Sequence, residues 1–337
     1  MKNSRMTGVA RPSWRRVAPW LLMGLVVVIL GNGLSPWRAA VEHNAGYLAL
    51  NRALAAGDTA GGQAATWRAR GVAALQSAAE RRPENPSTWR ALGYLYLLAG
   101  DDSAAVAAWQ RAGEMLPELL FKAQQAEQAG RNDEARDWYR RLPLVDPQDP
   151  AAWLELGMFY ERANDWAAAV TAHENGLQHA TANSDLYFHL AQAQRRADLP
   201  DWEAILHLSE HALATDVFLH EWSRWRSHLL RAEALNILGR PAEARAEFAH
   251  VVANQPEDYW ATVNLAQLIW QLDGDGEAAE KLYNTALALE PENKWGYLLL
   301  AELYVARGQV EQARPLFERV LELDPTDTKA NAWLEQN

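Results

Sequence analysis

Hydrophobic positions along most of the chain recur with the spacing of paired helices. In the clearest stretch, two amphipathic segments flank Gly100. Within the first segment, apolar and small residues occupy positions 4, 7, 8 and 11, which form one stripe along a helix. The stretch contains, in order, Trp89, Leu92, Gly93, Tyr96, Gly100, Ala105, Trp109, Ala112 and Pro117. One helical pair cannot bury such a stripe alone, so the pattern predicts stacked pairs.

The same pattern returns at regular intervals. Pro83 and Pro117 are 34 residues apart, Pro256 and Pro291 are 35 apart, and Pro291 and Pro325 are 34 apart. Strong copies begin at Trp153 and Tyr297, and four weaker or irregular copies occupy 130–147, 187–214, 239–256 and 260–291. Repetition at this period predicts an elongated array rather than separate globular domains.

These residues and this period resemble the tetratricopeptide repeat (TPR), which carries W-x2-L-G-x2-Y on a first helix, A-x3-F on a second helix and a closing Pro. The resemblance covers about residues 39–337. It implies an all-α, right-handed superhelical solenoid of about 7–8 TPR-like hairpins, with a degenerate repeat at 38–83, the main solenoid at 84–327 and a capping segment at 328–337. Burial of the stripe assigns most of the 16 tryptophans to the core.

The N-terminus predicts a membrane anchor. Residues 1–16 form a basic tail, and the uncharged segment 17–37 is about long enough to cross a bilayer as one transmembrane helix. A cleaved signal peptide is the alternative, because Gly31 and Gly33 could serve as small residues at a cleavage site, but no Ala-x-Ala follows. Five basic residues precede the segment and only Arg38 closely follows it. The positive-inside rule therefore predicts a cytoplasmic N-terminus and an extracytoplasmic TPR domain, either periplasmic or on the cell surface.

Charge and composition exclude several classes of function. The chain has a net charge of −11, although residues 1–38 carry six basic and no acidic residues. The repeats are therefore strongly acidic, which argues against nucleic acid as a partner. The chain has no cysteine, which excludes disulfides, thiolate nucleophiles and cysteine-bound zinc.

The sequence contains few candidate catalytic or metal-binding residues, and it predicts no enzyme activity, no cofactor and no metal site. His207 and His211 are four residues apart on a predicted helix, but a third ligand is not evident. The run from Asp273 to Glu277 resembles part of a calcium loop but is too short, so it is interpreted as a turn between helices.

The resemblance places the first helix of each hairpin along a concave groove, with positions 2, 5, 9, 12 and 13 pointing into it. The predicted groove residues are Arg90, Tyr94, Gln124, Glu127, Gln128, Met158, Glu161, Arg162, Phe188, Gln192, Arg195, Arg196, Arg226, Glu233, Asn236, Trp260, Gln267, Trp270, Gln271 and Glu302. Within this set, Arg162, Arg195 and Arg196 could together clamp a carboxylate, or could pair with nearby acids such as Glu161. A polar surface with scattered aromatics suits an extended peptide or a glycan.

Two functional hypotheses follow. In the first, the protein is a membrane-anchored scaffold that binds protein partners during assembly of an envelope-associated complex. In the second, it is a module of an exopolysaccharide or O-glycan biosynthesis and export system, in which groove aromatics stack on sugars. The aromatics concerned are Tyr94, Phe188, Trp260 and Trp270.

Overall fold

The computed structural model describes residues 36–56, 61–179 and 182–337, and these residues form seventeen helices and no strand. This confirms the all-α prediction. The helices are α1 (36–56), α2 (Gly61–Arg81), α3 (Pro86–Leu98), α4 (Asp102–Ala112), α5 (Leu116–Gln128), α6 (Asn132–Val145), α7 (Pro150–Arg162), α8 (Trp166–His179), α9 (Ser184–Arg195), α10 (Trp202–Thr215), α11 (Glu221–Ile237), α12 (Pro241–Asn254), α13 (Tyr259–Asp273), α14 (Gly276–Leu289), α15 (Lys294–Ala306), α16 (Val310–Leu323) and α17 (Thr328–Gln336).

The described residues divide into two compact units, the first ending at Asp146 and the second beginning at Pro147. In the first unit, α3 pairs with α4 and α5 with α6, and α2 packs against α3. In the second unit, α7 to α16 form five consecutive hairpins that stack on one another, and α17 packs on α16. Each unit is therefore a stack of helical hairpins.

Local sequence sets the helix boundaries. Asp or Asn precedes many of the helices, and its side chain accepts a hydrogen bond from a first-turn N–H group, as Asp101 does from Ala104 at 3.0 Å. Between the two helices of each hairpin from α3 to α16, except that of α9 and α10, the chain passes through a left-handed residue. Gly100 takes this role with φ 80° and Asn164 takes it with φ 58°, and both residue types tolerate that conformation.

A small residue at position 8 allows the two helices of a hairpin to approach closely, as the spacing predicts. An added Cβ on Gly93 would overlap the Trp109 ring, and one on Gly157 would overlap the His173 ring. The large ring at the A-x3-F position of the second helix therefore rests directly on the backbone of the first helix. This contact determines which side chain lies at the centre of each hairpin.

The prediction that most tryptophans are core residues is wrong for the described part of the chain. Trp109 is fully buried, but Trp222, Trp260 and Trp295 are each 45–47% exposed. The consensus tryptophans at position 4 are only partly buried, and each indole N–H donates to a carbonyl of the preceding turn. Trp89 donates to the Pro83 oxygen at 2.7 Å, and Trp153 donates to the Pro147 oxygen at 2.9 Å. This position thus closes the turn between hairpins.

The predicted basic tail at 1–16 and almost all of the predicted anchor at 17–37 lie outside the described residues. Among the helices that are described, none combines the length and the apolar character needed to cross a membrane.

Candidate functional site

The second unit contains a cavity of about 590 Å³, which we call the groove pocket. Side chains from α8, α9, α11, α12 and α13 line it, together with Arg196 at the end of α9. The lining residues are Trp166, Phe188, Gln192, Arg195, Arg196, Arg226, Leu229, Leu230, Glu233, Asn236, Ile237, Phe248, Trp260 and Asn264.

The groove pocket brings together eight of the twenty predicted groove residues. These are Phe188, Gln192, Arg195, Arg196, Arg226, Glu233, Asn236 and Trp260. Seven others belong to the second unit but do not line this pocket: Met158, Glu161, Arg162, Gln267, Trp270, Gln271 and Glu302. The remaining five belong to the first unit: Arg90, Tyr94, Gln124, Glu127 and Gln128.

The three predicted clamp arginines do not form one free cluster. Arg195 is engaged by Glu233 in two parallel hydrogen bonds, Nε to Oε2 at 2.6 Å and Nη2 to Oε1 at 3.0 Å. The Arg196 guanidinium lies over the Trp166 ring, 5.8 Å from its centroid. Arg162 is exposed and lies outside the pocket wall. Glu233 on α11 therefore already neutralises Arg195, one of the three arginines that were expected to bind a partner's carboxylate.

The groove pocket nevertheless carries a positive charge. Its wall contains Arg195, Arg196 and Arg226 but only one carboxylate, that of Glu233. No ion pair of Arg226 occurs within the part of the chain that the structure describes. A net excess of two positive charges in a chain of net charge −11 favours an anionic occupant.

Apolar side chains provide most of the rest of the wall, together with the amides of Gln192, Asn236 and Asn264. Trp260 at the start of α13 is 46% exposed, and Ile237 at the end of α11 is 51% exposed. Phe188 is only 1% exposed and belongs to the core between α9 and its neighbours, so it is not available for the predicted stacking on a ligand. The reason is that Phe188 packs with Leu230 and Phe248 beneath the polar wall. Trp260 is therefore the main exposed aromatic of the pocket.

In the first unit, the predicted groove residues Arg90 and Tyr94 share one acidic partner. The Tyr94 hydroxyl donates to Glu118 Oε1 at 2.5 Å, and Arg90 Nε lies 3.4 Å from Glu118 Oε2. Burial and the hydrogen bond to Glu118 raise the pKa of Tyr94 far above its ordinary value, so its phenol stays protonated. These side chains form a neutralised polar bridge between α3 and α5.

A third group of polar residues, the inner histidine cluster, consists of Glu161, His173 and His189. The two rings approach one carboxylate: His173 Nε2 is 2.9 Å and His189 Nδ1 is 3.0 Å from Glu161 Oε1. Gln192 Nε2 donates to the other oxygen, Oε2, at 3.2 Å. The side chains of His173, His189 and Glu161 are 0%, 2% and 9% exposed. Glu161 therefore turns inward, which corrects its assignment as a groove-facing residue.

Opposing effects determine the charge state of the inner histidine cluster. Burial raises the pKa of Glu161, but hydrogen bonds from His173 and His189, together with electrostatic attraction to them, outweigh burial and hold that pKa at about 2. Burial of the His173 ring lowers its pKa below the ordinary 6.5. At neutral pH the cluster thus contains an ionised carboxylate beside a neutral His173. Because a carboxylate only accepts hydrogen bonds, the ring nitrogens that face it carry hydrogen.

Repeat alignment contains the signal that could have revealed this cluster. His173 follows Ala169 by four residues and so occupies the A-x3-F position, where other hairpins place Trp109, Tyr139 or Phe317. In the preceding hairpin the Tyr139 hydroxyl donates to Glu127 at 2.7 Å, with the same separation of twelve residues that joins His173 to Glu161. The partner His189 comes from the next hairpin, so sequence spacing alone did not indicate it.

A separate group of polar residues, the outer histidine cluster, consists of His228, Glu247 and His250. His228 Nδ1 lies 2.7 Å from Glu247 Oε2, and the two imidazole centroids are 4.8 Å apart. Arg231 Nη1 lies 3.4 Å from Glu247 Oε1. Burial raises the pKa of Glu247, but the hydrogen bond from His228 and attraction to Arg231 produce a net lowering. This carboxylate therefore has a permanent cation beside it.

The two motifs that the sequence singled out have structural roles. His207 lies 3.7 Å from Glu210 on the exposed side of α10, and the His211 ring stacks on Tyr187 with centroids 5.4 Å apart. Gly274 ends α13 in the left-handed conformation, and Asp275 caps α14 by accepting from Ala278 N at 3.0 Å. The run from Asp273 to Glu277 is thus a turn between helices, as interpreted from the sequence.

Comparison with known proteins agrees with the repeat architecture. Family models described as tetratricopeptide repeat match residues 120–185 and 229–294, and residues 272–336, and together they cover about half of the chain. A solved structure of the APC/C hetero-tetramer Cut9-Hcn1 aligns with 79% of this chain and 48% of its own, at 15% identity and a TM-score of 0.50. At that identity the likeness concerns the fold alone.

Two relatives in the curated collection share one description, cellulose synthase operon protein C. The protein from Pseudomonas fluorescens (strain SBW25) is 25% identical over 238 residues, which are 70% of this chain and 16% of that protein. The protein from Xanthomonas axonopodis pv. citri (strain 306) is 31% identical over 117 residues, which are 35% of this chain and 8% of that protein. The match thus spans a small part of the length of these relatives.

Proposed function

Because the chain belongs to the tetratricopeptide repeat family, we propose that it is a scaffold protein that binds an extended, acidic segment of a partner protein in the groove pocket. The single observation that carries this proposal is the net positive charge of the pocket wall in an otherwise acidic chain. Charge of opposite sign steers a partner to this wall and disfavours basic competitors.

The contacts suggest how such a segment would lie. Arg195 is paired with Glu233 and Arg196 lies over the Trp166 ring, so Arg226 is the best anchor for a partner carboxylate. Trp260 presents a large apolar face beside it and would cover an apolar side chain of the partner. Asn236 also lines the pocket, and the side-chain oxygens of Gln192 and Asn264, whose amide nitrogens donate to Glu161 and to the Trp260 carbonyl, would accept hydrogen bonds from the backbone of an extended peptide.

The test is fluorescence anisotropy with two labelled extended peptides, one rich in glutamate and one with glutamine in place of every glutamate. We expect the acidic peptide to bind more tightly, with an affinity that falls as salt increases. Trp260→Ala should weaken binding by about tenfold or more, as loss of a central aromatic contact does. Equal binding of both peptides would contradict the proposal.

Trp295 provides a matched control for that substitution. It lies one repeat after Trp260, near the start of α15, and is 45% exposed compared with 46% for Trp260, but it does not line the groove pocket. Trp295→Ala should therefore leave peptide affinity unchanged. An equal loss in both variants would indicate binding to a general aromatic surface instead of the pocket.

A second candidate function, a module of an exopolysaccharide biosynthesis or export system, is favoured by one observation. Both curated relatives are described as cellulose synthase operon protein C. A glycan array separates the two candidates. Specific sugar binding that is lost in Trp260→Ala would favour the exopolysaccharide function. No binding signal on the array, together with peptide binding, would favour the protein scaffold.

We further propose that residues 17–37 anchor the scaffold and that the repeats lie outside the cytoplasm, on the basis of the basic tail before that segment. The chain has no cysteine, so a single Asp273→Cys variant can report topology. Asp273 lies at an exposed turn. Labelling of intact cells by a membrane-impermeant thiol reagent would support this orientation, and protection until lysis would overturn it.

A further inference from the structure

We infer that the inner histidine cluster, formed by Glu161, His173 and His189, binds one divalent transition-metal ion of the Zn²⁺ class. One carboxylate oxygen and two imidazole nitrogens lie within 4.8 Å of one another there. Each ligand comes from a different helix, α7, α8 and α9, so the hairpin stack itself holds them together.

The chemistry of the donors selects the class of ion. Two imidazoles and one carboxylate suit Zn²⁺ and its divalent first-row neighbours, whereas Ca²⁺ and Mg²⁺ need a shell made mainly of oxygen. Zn²⁺ commonly accepts three protein ligands with one further position left for water. The side chains present therefore match a zinc shell in type and number.

The distances require an adjustment of the three side chains. The two nitrogens are 2.9 Å and 3.0 Å from Glu161 Oε1, which is the spacing of hydrogen bonds, and all three atoms lie within 4.8 Å of one another. Ligands at about 2.1 Å from a tetrahedral zinc lie about 3.4 Å apart. An ion would therefore displace the two shared hydrogens and lengthen each N···O separation by about half an ångström, with the two nitrogens also about 3.4 Å apart.

Charge compensation provides the second argument. Within the described chain, no lysine or arginine forms an ion pair with the buried Glu161 carboxylate. In the outer histidine cluster, by contrast, Arg231 lies beside Glu247. The buried carboxylate thus has only hydrogen-bonding partners, and a divalent cation between it and the two rings would supply the positive charge that the site lacks.

The ring nitrogen that faces away from Glu161 in each histidine limits the expected affinity for zinc. His173 Nδ1 and His189 Nε2 are buried and have no hydrogen-bond partner, and these are the atoms that carry the ring protons when the opposite nitrogens bind metal. Lack of such an outer partner typically weakens metal binding 10–100-fold. We therefore expect micromolar affinity. The ion would enter beside Glu161, whose neighbour Gln192 lines the groove pocket.

The experiment titrates the full chain, stripped with a chelator and lacking a histidine tag, with ZnCl₂ in a calorimeter. The expected result is one site, accompanied by a rise in melting temperature. His173→Tyr should reduce the affinity at least tenfold and still fold, because Tyr139 pairs with Glu127 in the same register one hairpin earlier. Glu161→Gln is a second, nearly isosteric variant that should weaken binding in the same way.

Two control variants test where any zinc binds. His228→Gln alters the outer histidine cluster, and His211→Gln alters the exposed pair on α10; neither should change the affinity. Absence of zinc binding to the unmodified chain would overturn the inference. So would binding that survives both His173→Tyr and Glu161→Gln, or binding that is lost in His211→Gln.

Discussion

The inner and outer histidine clusters are built from the same side chains, two histidines and one glutamate, yet their surroundings differ. In the inner cluster the side chains of His173 and Glu161 are 0% and 9% exposed, and no arginine or lysine pairs with the carboxylate in the described chain. In the outer cluster His228 and Glu247 are 17% and 16% exposed, and Arg231 supplies a cation.

The difference shows how the position within a hairpin controls the chemistry of a side chain. His173 rests on Gly157 at the centre of a hairpin, where its neighbours exclude water. His228, on α11, reaches across to Glu247 on α12 at a margin where water and Arg231 share the charge. Polar groups at the centre of a hairpin have only one another as hydrogen-bond partners, whereas those at its margin can also bond to water or to a neighbouring charge.

The largest expected effect comes from removing each carboxylate. Glu161→Leu leaves the N–H groups of His173, His189 and Gln192 without their acceptor in a buried site, and we expect a loss of about 2–4 kcal/mol in the free energy of unfolding. Glu247→Leu should cost about 1 kcal/mol, because water can reach its partners. Urea denaturation with a chelator present, followed by circular dichroism, measures both. Equal losses would refute the distinction between centre and margin.

The contact between Gly157 and His173 is expected to give the next largest effect. Gly157→Ala places a Cβ inside the His173 ring, and overpacking of this kind costs about 1–3 kcal/mol. In a His173→Ala background the added methyl group meets no ring, so the same substitution should cost much less. A double-mutant cycle by denaturation measures this coupling. Additive losses would show that the ring does not rest on this glycine.

The inner cluster should also make stability depend on pH. Because the pKa of folded His173 lies below 6.5, the unfolded chain takes up a proton first, and stability is lost as the pH falls below about 6.5. The pKa of Glu161, about 2 compared with the usual 4.5, adds stability that is present above pH 4.5 and is lost as the pH falls toward 2.

His173→Tyr isolates the histidine contribution to that dependence. The melting temperature of this variant should change less between pH 7 and pH 5 than that of the unmodified chain. The decline below pH 4.5 should remain. Trp295→Ala removes no titratable group, so it serves as the control and should retain the full slope. An equal flattening in both variants would assign the change to something other than His173.

The smallest expected effect concerns the cation of the outer cluster. The Arg231 side chain is 32% exposed, so Arg231→Met should change the free energy of unfolding by less than about 1 kcal/mol. It should also raise the pKa of Glu247, which Arg231 holds down. Titration of the glutamate side-chain resonance by NMR measures the shift. An unchanged pKa would mean that His228 alone stabilises this carboxylate.

Much of the groove could be predicted from the sequence because helical register is a local property. Arg226, Glu233 and Trp260 meet in one pocket, as their positions within each first helix indicated. The prediction failed where a side chain's partner lies on another hairpin. Glu233 neutralises Arg195 across 38 residues, and Phe188 turns into the core against Leu230 and Phe248.

The repeat period, the helix boundaries and the close approach at position 8 follow from the sequence alone, since each depends on residues within one hairpin. Tertiary structure alone decided that Trp260 is exposed while Trp109 is buried, and that Glu161, His173 and His189 share one site. The physical reason is that burial and charge pairing depend on which neighbouring hairpins cover a position. Repeat spacing places every equivalent residue on the same face of its helix but does not specify the side chain that meets it.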